Sequence, residues 1–292
     1  MPLSGPVPEW LFSIVAIATL FTVMFDLGLA IVPGEFRWVA QRPGLMLKGV
    51  FSVLVAVPAL AWVVARVLDL PRAADIGIVL MALSPGAPVA LRRSLSAGGH
   101  QSFAPALQIA VTVLAVVSMP LSIAALNEYY GGRAIIAPQE VARQVFIAQL
   151  LPLSLGMLAR RLLPAQTAWL EPKLRRAGGV LLVVLLALAL IDIWEVVLGA
   201  GLRVTIAIVI VTTLALAVGH LLGGPDRGTR TATAISSAAR NPGLALLVAT
   251  LNAAPPAITA AVLAYFVIAA ITIVPYAIWR RRVSVPAEEA AG

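Results

Sequence analysis

Cysteine is absent from the 292 residues. That excludes disulfides, thiolate metal sites and thiol catalysis. Histidine is nearly absent: His100 and His220 stand alone, too few for a histidine metal cluster. Lysine occurs only at Lys48 and Lys173. Both fall at expected helix ends, which argues against a mid-membrane Schiff base. Charged residues make up 12% of the chain, against roughly a quarter in a soluble domain. A globule so poor in charge cannot cover itself in water. The chain has no paired aspartates on adjacent spans and no His-Glu-x-x-His pattern, so neither an intramembrane enzyme nor a bound cofactor is expected.

What is abundant is hydrocarbon. Hydrophobic residues make up 61% of the chain and the mean hydropathy is +0.98. The apolar runs are continuous and about 20 residues long, the length a helix needs to cross a bilayer. A membrane barrel would show short alternating segments instead. The expected fold class is an all-α polytopic membrane protein with about nine transmembrane helices. They fall near 10–32, 45–66, 74–97, 104–126, 139–159, 178–198, 203–222, 231–250 and 257–279. The first run lacks a basic flank and reads as a retained helix, not a signal peptide. The tail 283–292 reads as disordered.

The net charge of +8 is best placed in cytoplasmic loops, and no nucleic-acid partner is expected. Nine spans gather Arg37, Arg42, Lys48, Arg92, Arg93, Arg160 and the later basic clusters on one side. Arg66, Arg72, Arg133, Arg143 and Arg203 fall on the other. This bias puts the first side in the cytoplasm, the N-terminus outside and the C-terminus inside. The expected location is an inner or plasma membrane, with the lipid bilayer as surroundings.

Two spans are interrupted. The third carries "SPGAPVALRR" and the eighth carries "AARNPGLAL". Proline removes a donor and clashes with the preceding turn. Lipid cannot satisfy the freed carbonyls, so such breaks persist where protein or a water-filled cavity surrounds them. One break alone reads equally well as a kink. Two breaks, each followed by one further span, point to inverted repeats with the interrupted segments crossing at a binding site. The candidate substrate-binding residues are Pro85, Gly86, Ala87, Pro88, Gln108, Ser236, Arg240, Asn241, Pro242 and Gly243.

Three stretches, "MFDLGLAIVPGEFRWVAQRPG", "LDLPRAADIGIVLMALSPGAPVA" and "AISSAARNPGLALLVA", carry a resemblance to the bile acid:sodium symporter superfamily. It implies a core domain, here about 45–126 and 203–279, that contains the two crossing helices. It also implies a panel domain, about 10–32 and 139–198, that moves against the core for alternating access. The chain departs from the family where the family holds sodium. Ala90-Leu91 stand for a Ser-Asn pair, Ala104 and Gln108 for a Ser and a Thr, and Ser236 and Arg240 for a Glu and a Gln. Asn241 alone survives.

These departures predict a carrier that is not sodium-coupled through the family's usual sites. Arg240 is a permanent cation. It either takes the electrostatic role of the missing ion, binds an anionic substrate, or serves as a structural partner for Asp26 or Ser236. Asp26, inside "FTVMFDLGLAIV", is a candidate proton carrier or the partner of an arginine. Arg92 either snorkels to the cytoplasmic surface or lines a vestibule that attracts anions. Gln108 either contacts substrate or satisfies carbonyls near Pro85. Asp192 and Glu195 are expected at the outer end of the sixth span, and His100 and His220 at solvated helix ends. The leading function is a secondary transporter of a small organic anion, with a proton as a candidate coupled ion. The alternatives are a non-transporting sensor that keeps the fold, or a sodium symporter with relocated ion sites.

Overall fold

The computed structural model describes residues 8–30, 38, 40–129, 138–198 and 201–284. Arg37, Arg133 and the tail from 285 onward lie outside the described residues, as do the side chains of Pro88, Asp192 and Glu195. The described residues form helices and connecting turns without strands. In chain order the helices are α1 (Glu9–Ala30), α2 (Pro43–Val67), α3 (Arg72–Ala82), α4 (Pro88–Ser96), α5 (Phe103–Tyr129) and α6 (Pro138–Leu162). They continue with α7 (Pro164–Leu198), α8 (Gly201–Leu222), α9 (Arg227–Ala238), α10 (Pro242–Leu251) and α11 (Pro256–Ser284).

Six of these, α1, α2, α5, α6, α8 and α11, are long and apolar enough to cross a membrane. The third and eighth expected spans are each two half-helices. α3 and α4 have 11 and 9 residues, and α9 and α10 have 12 and 10. None reaches the roughly 20 residues that a crossing needs alone. The sixth expected span sits within α7, which starts well before residue 178.

Proline shapes two of the long helices. α2 contains a π-helical turn over Ser52–Ala56, and α6 contains one over Phe146–Leu150. Each turn ends two residues before a proline, Pro58 and Pro152. A proline ring collides with the carbonyl four residues earlier and offers no N–H. A wider turn relieves that collision. In α2 the Val57 N–H reaches back to Ser52 O. The next donor in that register would be residue 58. It is proline, so Val53 O loses its intrahelical partner.

α1 lies chiefly against α6 and α7. Gly28 and Gly156 bring α1 and α6 into backbone contact, for a Cβ on either would strike the other helix's carbonyls. α8 lies chiefly against α9 and α11, and α11 against α3. The largest buried cluster runs through the middle of the bundle and includes Leu20, Met81, Leu247 and Tyr265.

Candidate functional site

The site begins with the two interruptions. α3 ends at Ala82 with Leu83 as its cap, and α4 starts again at Pro88, with Ala87 extended before it. Between them Gly86 has φ +80, the left-handed region that side chains disfavour. A Cβ there would lie 2.7 Å from Thr112 Oγ1. α9 ends at Ala238, Ala239 and Asn241 are extended, and α10 starts at Pro242. Proline is tolerated at a first helical position because its missing N–H would have no helical partner there.

The two interruptions touch. The Asn241 N–H donates to Ser84 O at 2.9 Å. The Asn241 side chain accepts from the Leu244 N–H at 3.1 Å and so caps α10. Its Nδ2 is buried and has no partner among the described residues. The backbone freed by the breaks is thus satisfied partly across the crossing, as a dry interior requires.

Arg240 is 3% exposed. Its Nη1 donates to Val53 O at 2.9 Å and its Nη2 to Ser237 O at 2.6 Å. The first acceptor is the carbonyl orphaned by Pro58. The second belongs to the last turn of α9, where helix carbonyls lack partners and the helix end is partly negative. One guanidinium therefore joins the α2 π-turn to the end of α9. Its partners are backbone carbonyls, not the Asp26 or Ser236 side chains. Ser236 is buried, but its neighbour Ser237 makes the cross-helix bond, with Ser52 Oγ at 2.8 Å.

Asp26 of α1 pairs with Arg92 of α4, Oδ2 to Nη2 at 2.7 Å. The carboxylate is almost wholly buried. Arg92 is tied to Asp26 at its Nη2 while about half of its side chain stays exposed. The cavity beside the crossing takes the next residue, Arg93, with Thr19, Ala87, Arg240, Asn241 and Phe266 among its walls. Pro242 and Gly243 also line it.

Gln108 lies on α5, facing the first interruption. Its Nε2 would be 3.7 Å from a Cβ on Gly86 and has no partner among the described residues. Gln149, in the α6 π-turn, faces the same glycine with Oε1 at 3.3 Å from that Cβ position. Neither amide atom of Gln149 has a described partner. Sequence reading missed Gln149, and its signal was a glutamine in an apolar run three residues before Pro152. His100 and His220 are not simply solvated. His100 Nδ1 accepts from the Ser102 and Phe103 N–H groups at the start of α5, and His220 Nδ1 bonds Tyr276 OH at 2.8 Å.

Long apolar helices and two half-helix pairs joined at their breaks define a multi-pass helical membrane protein of the transporter class. The chain belongs to the sodium bile acid symporter family, whose model matches residues 17–199. The first interruption lies within that match and the second beyond it. A Bacillus subtilis (strain 168) protein named "Uncharacterized sodium-dependent transporter YocS" is 24% identical over 253 residues, 84% of this chain and 76% of that protein. A human protein named "P3 protein" is 29% identical over 187 residues, 62% of this chain and 38% of its own length.

Proposed function

We propose that the protein is a secondary transporter of a small organic anion, working by alternating access. The panel would be α1, α6 and α7, and the core would be the remaining helices. Nine spans would result from the six uninterrupted helices, the apolar part of α7 and the two half-helix pairs. The cavity beside the crossing lies between α1 and α7 on one side and α4, α10 and α11 on the other. Rocking of one group against the other would open it to alternate faces.

The observation that carries this reading is the guanidinium of Arg240 between Val53 O and Ser237 O. Two carbonyls converging on a positive charge are what a bound alkali ion would meet. Here the charge is covalently attached. A sodium ion about 4 Å from it would be repelled by about 4 kcal/mol at an effective dielectric of 20. We therefore infer transport without sodium at this site. In proteoliposomes, uptake of labelled carboxylates is expected to be equal in sodium and potassium buffers. Binding without any flux would favour a sensor, and flux that requires sodium would contradict the reading.

Sodium coupling at a relocated site is the second reading. It is favoured by the name of the Bacillus relative and by the buried Gln149 Oε1, which has no described partner. One amide oxygen and the Thr112 hydroxyl beside Gly86 are a poor replacement for the hydration shell of a hard cation, which takes six or more oxygens when it is calcium or magnesium. We rank it below the first.

Asp26 joins α1 to α4 through Arg92, so we assign it as a strut between panel and core and not as the coupled proton's carrier. Asp26→Asn is expected to destabilise the protein by about 1–3 kcal/mol, between the values for exposed and buried pairs. Uptake is expected to fall while its dependence on pH keeps the same midpoint. A pH dependence that disappears in Asp26→Asn would show that Asp26 carries the proton.

A further inference from the structure

Arg92 and Arg93 are consecutive on α4, and a helix turns about 100° per residue. They therefore face different neighbours. Arg92 faces α1 and is neutralised by Asp26. Arg93 lines the cavity beside the crossing. Its one described hydrogen bond, Nη1 to Ala270 O, is long at 3.4 Å. Among the described residues no carboxylate lies within ion-pair distance of it. Arg240, the other cation on the cavity wall, already spends two guanidinium nitrogens on Val53 O and Ser237 O. Of the two positive charges at this cavity, Arg240 is buried against two carbonyls, with its Nε lacking a described partner, and Arg93 is the partly exposed one.

We infer that Arg93 receives the anionic group of the substrate. This rests on the transporter reading above and adds to it the residue that reads charge. A planar guanidinium binds a carboxylate or sulfonate through two parallel hydrogen bonds. The rest of the wall, with Leu20, Met81, Phe266 and Ile273, suits hydrocarbon. The site takes an amphipathic organic anion with a single charged end. A second carboxylate would find no exposed cation, because Arg240 is 3% exposed and held against two carbonyls, and would lose its hydration in an apolar cavity.

Three matched pairs test this: benzoate, 2-naphthoate and cholate, each against its own primary amide. Binding is measured by calorimetry on the full-length protein in lipid nanodiscs, with a melting curve for every variant. In the unaltered protein at least one acid is expected to bind ten-fold or more tighter than its amide. In Arg93→Gln that preference is expected to vanish, through weaker acid binding at unchanged amide binding. Arg93→Lys keeps the charge without the fork, and about a three-fold preference is expected to remain. Should Arg93→Gln fail to fold, the lysine variant carries the test, and an undiminished preference there overturns the inference. An acid preference that survives in Arg93→Gln also overturns it, while leaving the anion-transporter reading intact. If the unaltered protein prefers none of the acids, the anion reading fails and this inference with it.

Discussion

Replacing Arg240 by alanine is expected to lower the melting temperature by about 10 °C and to abolish transport. The change removes both hydrogen bonds of the guanidinium. It leaves Val53 O without a partner, because Pro58 cannot supply one, and it exposes the last-turn carbonyl of Ser237. A buried carbonyl left unsatisfied costs about 1–3 kcal/mol. Relief of the buried charge offsets part of that cost. A net loss of about 2–5 kcal/mol follows, which in a protein of this size corresponds to roughly 5–15 °C. Arg240→Met fills similar volume without donors and is expected to lose nearly as much. Arg240→Lys keeps a donor and a charge and is expected to recover part of the loss. Differential scanning fluorimetry on the three variants decides the matter. A methionine variant as stable as the parent would show that the two carbonyls do not depend on the guanidinium.

Gly86→Ala is expected to be the second most damaging change, with transport abolished although the protein still inserts in the membrane. Two costs coincide. The φ of +80 disfavours any Cβ by about 1–2 kcal/mol. The new methyl would also lie 2.7 Å from Thr112 Oγ1 and 3.3 Å from Gln149 Oε1. Thr112 cannot simply swing away, because its hydroxyl donates to Gln108 O at 2.8 Å. The first interruption would have to shift, and with it the Ser84 carbonyl that accepts from Asn241. Uptake by purified, reconstituted Gly86→Ala measures this directly. Flux within two-fold of the parent would mean that the crossing tolerates displacement.

The interruptions were readable because proline and glycine act locally. Pro85-Gly86 and Pro242-Gly243 end helices wherever they occur in such runs, and Asn241 before Pro242 announces a cap. The partners were not readable. Arg240 reaches Val53 O only because Pro58, far away in sequence, widens α2 and frees that carbonyl. A proline inside an expected span was the available signal, and its consequence depends on which helix packs there. The same holds for Gln149 ahead of Pro152. Ser237, not Ser236, meets Ser52 because the facing side of α9 is fixed by its neighbours. Arg92 and Arg93 are alike in composition and differ only in angle around α4. The sequence could place both beside the break, but which one meets Asp26 depends on how α1 lies against α4.

With the Arg240 guanidinium holding Val53 O and Ser237 O at the second interruption, no sodium ion is expected to bind there. A titration of sodium against potassium at constant ionic strength, read as the melting temperature of the purified protein, measures this. A flat response is predicted, with sodium and potassium indistinguishable up to several hundred millimolar on the order of physiological salt and above. A saturable, sodium-specific rise in the melting temperature of the unaltered protein that is lost when Asn241 or Ser237 beside Arg240 is replaced by alanine would show the opposite.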